Sequence, residues 1–275
     1  SELMVKKSQW FRTFLKRLEM RPASKAQSLI ELALVLPILI IMLLGIAEVA
    51  LFMGRYLDIL DLTREAARLA SLNDPTVYIA SPTKNCSDAD PQNINYYYRV
   101  ACIFSPPDPA REPGSVCDDS NFCNGFNRYI DFDLNKDDVV ISGYTVDNNT
   151  VSDTWPASGY WSLSKDGIGK TEANWNKDCQ GNPITGASPY YTTSRINSLI
   201  QGTIATMAAS TPAVSYDPAS SKGFVAVEAY YCYHQIMGIP ILSNFVPNPV
   251  RIHAYTLMPL PAVQPTLTPL PTPTP

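Results

Sequence analysis

The chain has 275 residues, of which 45% are hydrophobic and 17% charged, with 25 acidic side chains against 21 basic ones. That length allows one sizeable domain or two small ones, and the composition excludes collagen, a coiled-coil rod and wholesale disorder. A formal charge of −4 also argues against a basic nucleic-acid binder.

The charge is unevenly distributed. Residues 1–26 carry seven Lys or Arg against Glu2 and Glu19, a net +5, while everything after them sums to −9. Next comes the apolar run Leu32 to Met53, 22 residues whose only ionisable group is Glu48. As a helix it is about 33 Å long, enough to cross the hydrocarbon core of a bilayer. A buried core helix rarely stays apolar on every face for this length, so the spacing predicts a membrane span. Basic residues before it and an acidic chain after it predict a cytoplasmic N-terminus and an exported C-terminal part. A cleaved secretory signal fits less well, because the apolar stretch is long and the helical pattern continues through Glu48, Arg55 and Tyr56. Glu48 is expected to snorkel toward the outer interface, with a neighbouring helix as its other possible destination.

From Phe52 the pattern is amphipathic. Phe52, Tyr56, Leu60, Thr63, Ala67 and Ala70 recur every three or four residues, and Asp61–Arg64 and Glu65–Arg68 form i,i+3 pairs. The helix is therefore expected to continue to about Leu72, where Asn73-Asp74-Pro75 stops it. From Gln27 that makes about 69 Å of helix if uninterrupted, and Pro37 is expected to bend it or leave a backbone carbonyl free.

The entrance to the span reads Lys25-Ala26-Gln27-Ser28-Leu29-Ile30-Glu31-Leu32, placing one carboxylate at the mouth of an apolar helix. Taken alone, this is an N-terminal acid stabilised by the helix dipole. Together with the later Leu62-Thr63-Arg64-Glu65-Ala66-Ala67-Arg68-Leu69-Ala70, the segment AQSLIELALVLP at 26–37 resembles class III, type IV-like prepilins. In particular it resembles the TadE-like family of tight-adherence pilus proteins. This chain carries Ala26 where the family usually has Gly before the cut. The resemblance implies a membrane prepilin peptidase that removes residues 1–26, a mature chain starting at Gln27, and Glu31 as its fifth residue. It further implies that Glu31 pairs with the free α-amino group of a neighbouring subunit. An unpaired carboxylate in hydrocarbon costs roughly 2.5–3.5 kcal/mol on insertion scales, so a partner amine would set the axial register between helices.

Residues 73–193 are rich in turn formers, with strand candidates at Val139–Val146 and Tyr160–Ser164. A second helix is predicted over Thr193–Ser210, followed by strands at Gly223–His234 and Val250–Leu257. The tyrosine runs at 96–98, 190–191 and 230–231 are attributed to strand content and sheet packing. This order predicts an α+β head with an antiparallel sheet over residues 73–258, carried on a transmembrane and extended helix over 27–72. From Pro259 onward, 11 of 17 residues are Pro or Thr, which predicts an extended tail.

All six cysteines (Cys86, Cys102, Cys117, Cys123, Cys179 and Cys232) follow the span. An even number on an exported side points to disulfides, with 15 possible connectivities. No CxxC pair occurs and only two histidines are available, so a zinc site is not expected. Asp131, Asp133, Asn135 and Asp137 alternate like the ligands of a calcium loop. Lys136, however, replaces the turn glycine and Ser142 the terminal Glu, leaving a weak calcium candidate. Gly167-Ile168-Gly169-Lys170-Thr171 resembles the end of a phosphate-binding loop but lacks its first glycine, Ser164 standing there, and is read as a hairpin turn. There is no GxSxG or HExxH motif, no catalytic constellation, and no cofactor is implied.

The leading expectation is a non-enzymatic minor pilin or pseudopilin, whose partners are the membrane, a prepilin peptidase, other pilin-like subunits and the pilus assembly machinery. The alternative is a permanently anchored single-pass protein whose ectodomain binds sugar or calcium.

Overall fold

The structure, a computed structural model, describes residues 23–73, 83–209, 222–237 and 247–260. Most of the basic leader and the tail beyond Leu260 therefore lie outside the described residues, as does Ser210.

A single helix, α1 (Ala23–Ser71), runs through Pro37 without interruption. Its end is set by side chain as well as sequence: Asn73 Nδ2 donates to the Leu69 carbonyl at 2.7 Å, satisfying one of the acceptors the last turn leaves open. Both expected ion pairs form, Asp61–Arg64 at 3.3 Å and Glu65–Arg68 at 2.8 Å. They lie on the exposed side, whereas Ile59, Thr63, Ala66, Ala67 and Ala70 are buried. The three alanines are fully enclosed. Small side chains at these positions let the helix backbone approach its neighbours closely, and Tyr96 Oη reaches the Ala70 carbonyl at 3.0 Å.

The head is an antiparallel sheet of β1 (Asp138–Asp147), β2 (Thr150–Trp155), β3 (Trp161–Ser162), β4 (Lys222–Tyr233) and β5 (Val250–Leu260). Its order is β2-β1-β4-β5, with the short β3 also paired to β1. β4 is central, paired with both β1 and β5, and its residues alternate between two faces that are each covered. Val225, Val227, Ala229, Tyr231 and Tyr233 pack toward α1, together with Val139, Ile141, Ile252 and Ala254. On the other face Tyr144, Val146 and Ala226 meet Tyr191, Ile196 and Ile200, the last two from α2 (Thr193–Ala209). Two covered faces explain why β1 is buried almost continuously instead of alternating. The α+β class with a long N-terminal helix and an antiparallel sheet is thus the observed architecture.

Several local expectations are corrected. Tyr96-Tyr97-Tyr98 open a short helix (Tyr96–Ala101) instead of a strand, because Asn95 caps it, its side-chain oxygen accepting from the backbone N–H of Tyr97 and Tyr98. β5 extends to Leu260, past the expected head boundary at 258. The Tyr160–Ser164 strand shrinks to two residues because the next turn is drawn onto a buried carboxylate. Asp138 accepts from Ser162 Oγ at 2.8 Å, Ser164 Oγ at 2.7 Å, and the backbone N–H of Ser164, Asn174 and Trp175. Gly167 consequently closes a single π-helical turn, Leu163–Gly167, and no hairpin forms there.

All six cysteines are paired, as Cys86–Cys102, Cys117–Cys123 and Cys179–Cys232. The first two bonds staple the turn-rich layer between α1 and β1. Cys179–Cys232 closes 53 residues and fastens the loop before α2 to central strand β4. Loop-closure entropy assigns a cross-link of that span about 4 kcal/mol.

Candidate assembly helix and its junction with the head

The helix divides sharply into two halves. Between Ile30 and Leu43 the side chains stand bare on every face, Ile30, Leu34 and Met42 being 63%, 69% and 64% exposed; Ile46 is still 65% exposed, while Leu44 and Ala47 are half-buried as the head begins. The stretch Ile30–Ser71 contains a window of mean hydropathy 2.8 with none of its residues buried, so the helix is long and apolar enough to cross a membrane. Eighteen residues from Ile30 to Ala47 span about 27 Å, close to one hydrocarbon thickness.

Glu48 ends the bare half. Its carboxylate is 5% exposed and accepts three hydrogen bonds from the head: Tyr233 Oη at 2.8 Å, Ile236 N–H at 3.0 Å and Met237 N–H at 2.8 Å. The expected snorkelling toward solvent therefore does not occur, nor does Glu48 turn toward another helix. The segment that follows β4 folds over the acid, and its donors, with Tyr233 at the strand end, replace water. Just above it, Phe52 meets Tyr233 edge-on at 5.4 Å, and the Arg55 guanidinium donates to the Tyr129 carbonyl. The face of α1 turned away from the head remains apolar: Val49, Met53 and Leu57, at i, i+4 and i+8, are 57%, 48% and 53% exposed.

The sequence-derived processing residues sit at the opposite end. Ala26 and Gln27 lie in the first turns of α1, of which the structure describes the backbone, and Glu31 lies on the exposed surface of the bare half. They are far along the helix from the head, and only Glu31 belongs to the apolar span itself.

The calcium candidates do not form one ligand shell. Asp133 accepts from Asn135 N–H at 2.8 Å, a local turn. Asp137 points inward, one oxygen accepting from Cys232 N–H at 2.8 Å and the other from Asp133 N–H at 2.7 Å. Burial pushes the Asp137 carboxyl up to about 8, only partly offset by those two donors. Among the described residues no three acidic, His or Cys side chains are grouped to hold a metal ion. Asp131, Asp133 and Asp137 instead line a cleft of about 290 Å³ with Arg55, Lys136 and His234.

A second buried acid, Glu228, escaped the sequence reading. It is 1% exposed and accepts from Tyr190 N–H and Tyr191 N–H, both at 2.8 Å, and from Tyr230 Oη at 2.7 Å, with His253 Nε2 at 3.0 Å. Four groups of the chain itself thus converge on it and fasten the loop before α2 to the sheet. A lone Glu in a run of strand residues is the one signal that could have marked it: a charge on a covered face requires partners.

Comparison with known proteins agrees with the N-terminal motif. The model of the family described as TadE-like protein matches residues 26–68, which contain the whole bare half of α1, Glu48 and most of the head-packed half. No curated protein and no solved structure matches the chain. Over residues 26–68, then, the helix on which this molecule is built is similar to the family described as TadE-like protein.

Proposed function

We propose that the protein is a minor pilin or pseudopilin of a tight-adherence pilus and secretion system, acting by assembly and not by catalysis. The observation that carries this reading is the division of α1 at Glu48. A half-helix bare on all faces needs a lipid or protein environment, and the stripe Val49, Met53 and Leu57 continues that need above the span. Packing against equivalent helices of other pilin-like subunits would cover both. The buried carboxylates Asp138 and Glu228 are each held by several donors of the chain itself, a structural use of acids.

In this reading a prepilin peptidase cuts after Ala26 on the cytoplasmic side, Gln27 becomes the new N-terminus, and Glu31 pairs with the α-amino group of a neighbouring subunit. The disulfide-supported head is displayed outside the cell, where an oxidising milieu maintains its three bonds. The test is the mass of the protein recovered from membranes of cells that contain the matching peptidase. A chain beginning at Gln27 is expected, and Glu31→Ala should still be processed yet enter assemblies poorly. An intact leader in those cells would overturn the proposal and favour a permanently anchored receptor.

A further inference from the structure

The segment after β4 that binds Glu48 has its own exposed apolar surface. Ile236 and Met237, which donate their N–H groups to the carboxylate, are 56% and 44% exposed. They are held at this level from two sides, because Gln235 N–H also donates to the Asn248 side chain at 3.1 Å, at the approach to β5. Hydrogen bonds of 2.8–3.0 Å fix the backbone of both residues at the height of Glu48 along α1. That is one residue beyond the end of the bare half-helix. The interfacial zone of a bilayer extends about 5–7 Å beyond each side of its hydrocarbon core, or about four residues of helix. Residues at the height of position 48 therefore lie within this zone whenever Ile30–Ala47 spans the core.

We propose that Ile236 and Met237 form a second membrane contact, inserting into the outer headgroup and acyl boundary and seating the head on the lipid surface. The occupant of this apolar patch is lipid, because the patch is continuous with the span and clamped to its last turn. The cleft that Ile236 also lines is polar, with Arg55, Lys136 and His234 beside Asp131, Asp133 and Asp137. The contact makes the head a two-point anchored body, with tilt as well as depth fixed. This inference rests on the membrane reading of α1, and the experiment separates the two.

The full chain is reconstituted into phosphatidylcholine vesicles, carrying a nitroxide label at a single introduced cysteine: Met237→Cys, Ile236→Cys, Leu199→Cys or Leu39→Cys. The native cysteines are all paired, so the new thiol is the one that reacts. Leu199 on α2 is 45% exposed, a matched aqueous control for Met237, and Leu39 reports on the span. Collision with oxygen, which dissolves in lipid, is compared with collision with a water-soluble nickel chelate. The oxygen-to-nickel ratio is expected to be highest at 39, and at 236 and 237 several-fold above that at 199. Ratios at 236 and 237 equal to that at 199, with 39 in lipid, would overturn the inference alone. Shielding of 236 and 237 from both reagents would mean that a second copy covers them, and would overturn it too. An aqueous label at 39 would remove the membrane reading itself.

Discussion

Replacing Glu48 by Ala removes the acceptor that joins the span to the head. Three donors lose their partner: Tyr233 Oη, Ile236 N–H and Met237 N–H. Hydrogen bonds to a charged group contribute about 1.5–3 kcal/mol each, so a simple sum exceeds 4 and could approach about 9 kcal/mol. That sum overstates the loss. Ile236 and Met237 are 56% and 44% exposed, and water can reach their backbone once the carboxylate is gone. The Tyr233 hydroxyl, on a side chain 3% exposed, has less access to such compensation. A net loss of about 3 kcal/mol follows, most of it from the buried Tyr233 hydroxyl left without its acceptor. For a domain of this size each kcal/mol lowers Tm by about 2–4 °C, so Glu48→Ala should melt about 6–12 °C below the parent. The assay is the thermal melt of the detergent-solubilised full chain, followed by near-ultraviolet circular dichroism of its tyrosines. Glu48→Gln, which keeps one acceptor oxygen but sets an amide N–H₂ against a donor, should fall between. Tyr233→Phe should lose about 1–2 kcal/mol, and the Glu48→Ala/Tyr233→Phe double variant less than the two losses added. Melting of Glu48→Ala within about 2 °C of the parent would refute the argument that this acid fastens the head to the helix.

Two further predictions concern the head. A Cβ at Gly125 would lie 2.1 Å from the Cys102 carbonyl oxygen and 2.3 Å from that of Ser105, both backbone atoms. Gly125→Ala should therefore cost at least about 2 kcal/mol by forced displacement, whereas Gly202→Ala on α2, with nothing within 4 Å of the new Cβ, should be neutral or gain up to about 1 kcal/mol. Equal urea midpoints for these two variants would contradict the packing described for the Cys102–Ser105 turn. The second concerns pH. Asp137 has its carboxyl pushed up to about 8 in the folded head by burial, from an ordinary 3.8. The folded state then holds a proton that the unfolded chain releases, so this contribution to stability is complete below about pH 4 and is lost progressively up to about pH 8. Asp138, fully buried, is shifted in the same direction by the same cause. Urea midpoints should fall between pH 5 and pH 8, and Asp137→Asn should flatten the fall. A midpoint that rises with pH in that window would show that Asp137 is ionised in the native head.

What was legible in the sequence was local. The span, the amphipathic continuation of α1, the ion pairs Asp61–Arg64 and Glu65–Arg68, and strands β1, β4 and β5 are written in periodicity and composition over short windows. The partners of Glu48 are 185 to 189 positions away, and no window contains both. Read from its neighbours alone, an acid at the end of an apolar run belongs in solvent. The same limit hid Asp138, whose acceptors collect donors from 162 to 175 and reshape the strand expected there. β2 escaped notice because an edge strand exposed on half of its residues, with none buried, carries Thr, Ser and Asp in place of an apolar stripe. The tyrosines at 96–98 misled in the other direction, since their β preference yields to one Asn cap and a buried niche under α1.

The division at Glu48 has a mechanical consequence that follows from continuity. α1 is unbroken from the span into the head, and its upper half forms part of the core through Ile59, Ala66, Ala67 and Ala70. No linker lies between the two, so the head cannot swivel on the bare half-helix while the helix stays folded. A rotation about the helix axis would carry Val49, Met53 and Leu57 round with the sheet, and a tilt would need the Glu48 contacts to part. Any displacement of the bare half-helix is therefore transmitted to the sheet as a rigid movement. A hinge inserted above Ala47 would uncouple the two while leaving both the span and the core residues intact. The position of the bare half-helix and the orientation of the sheet are, in this architecture, one variable.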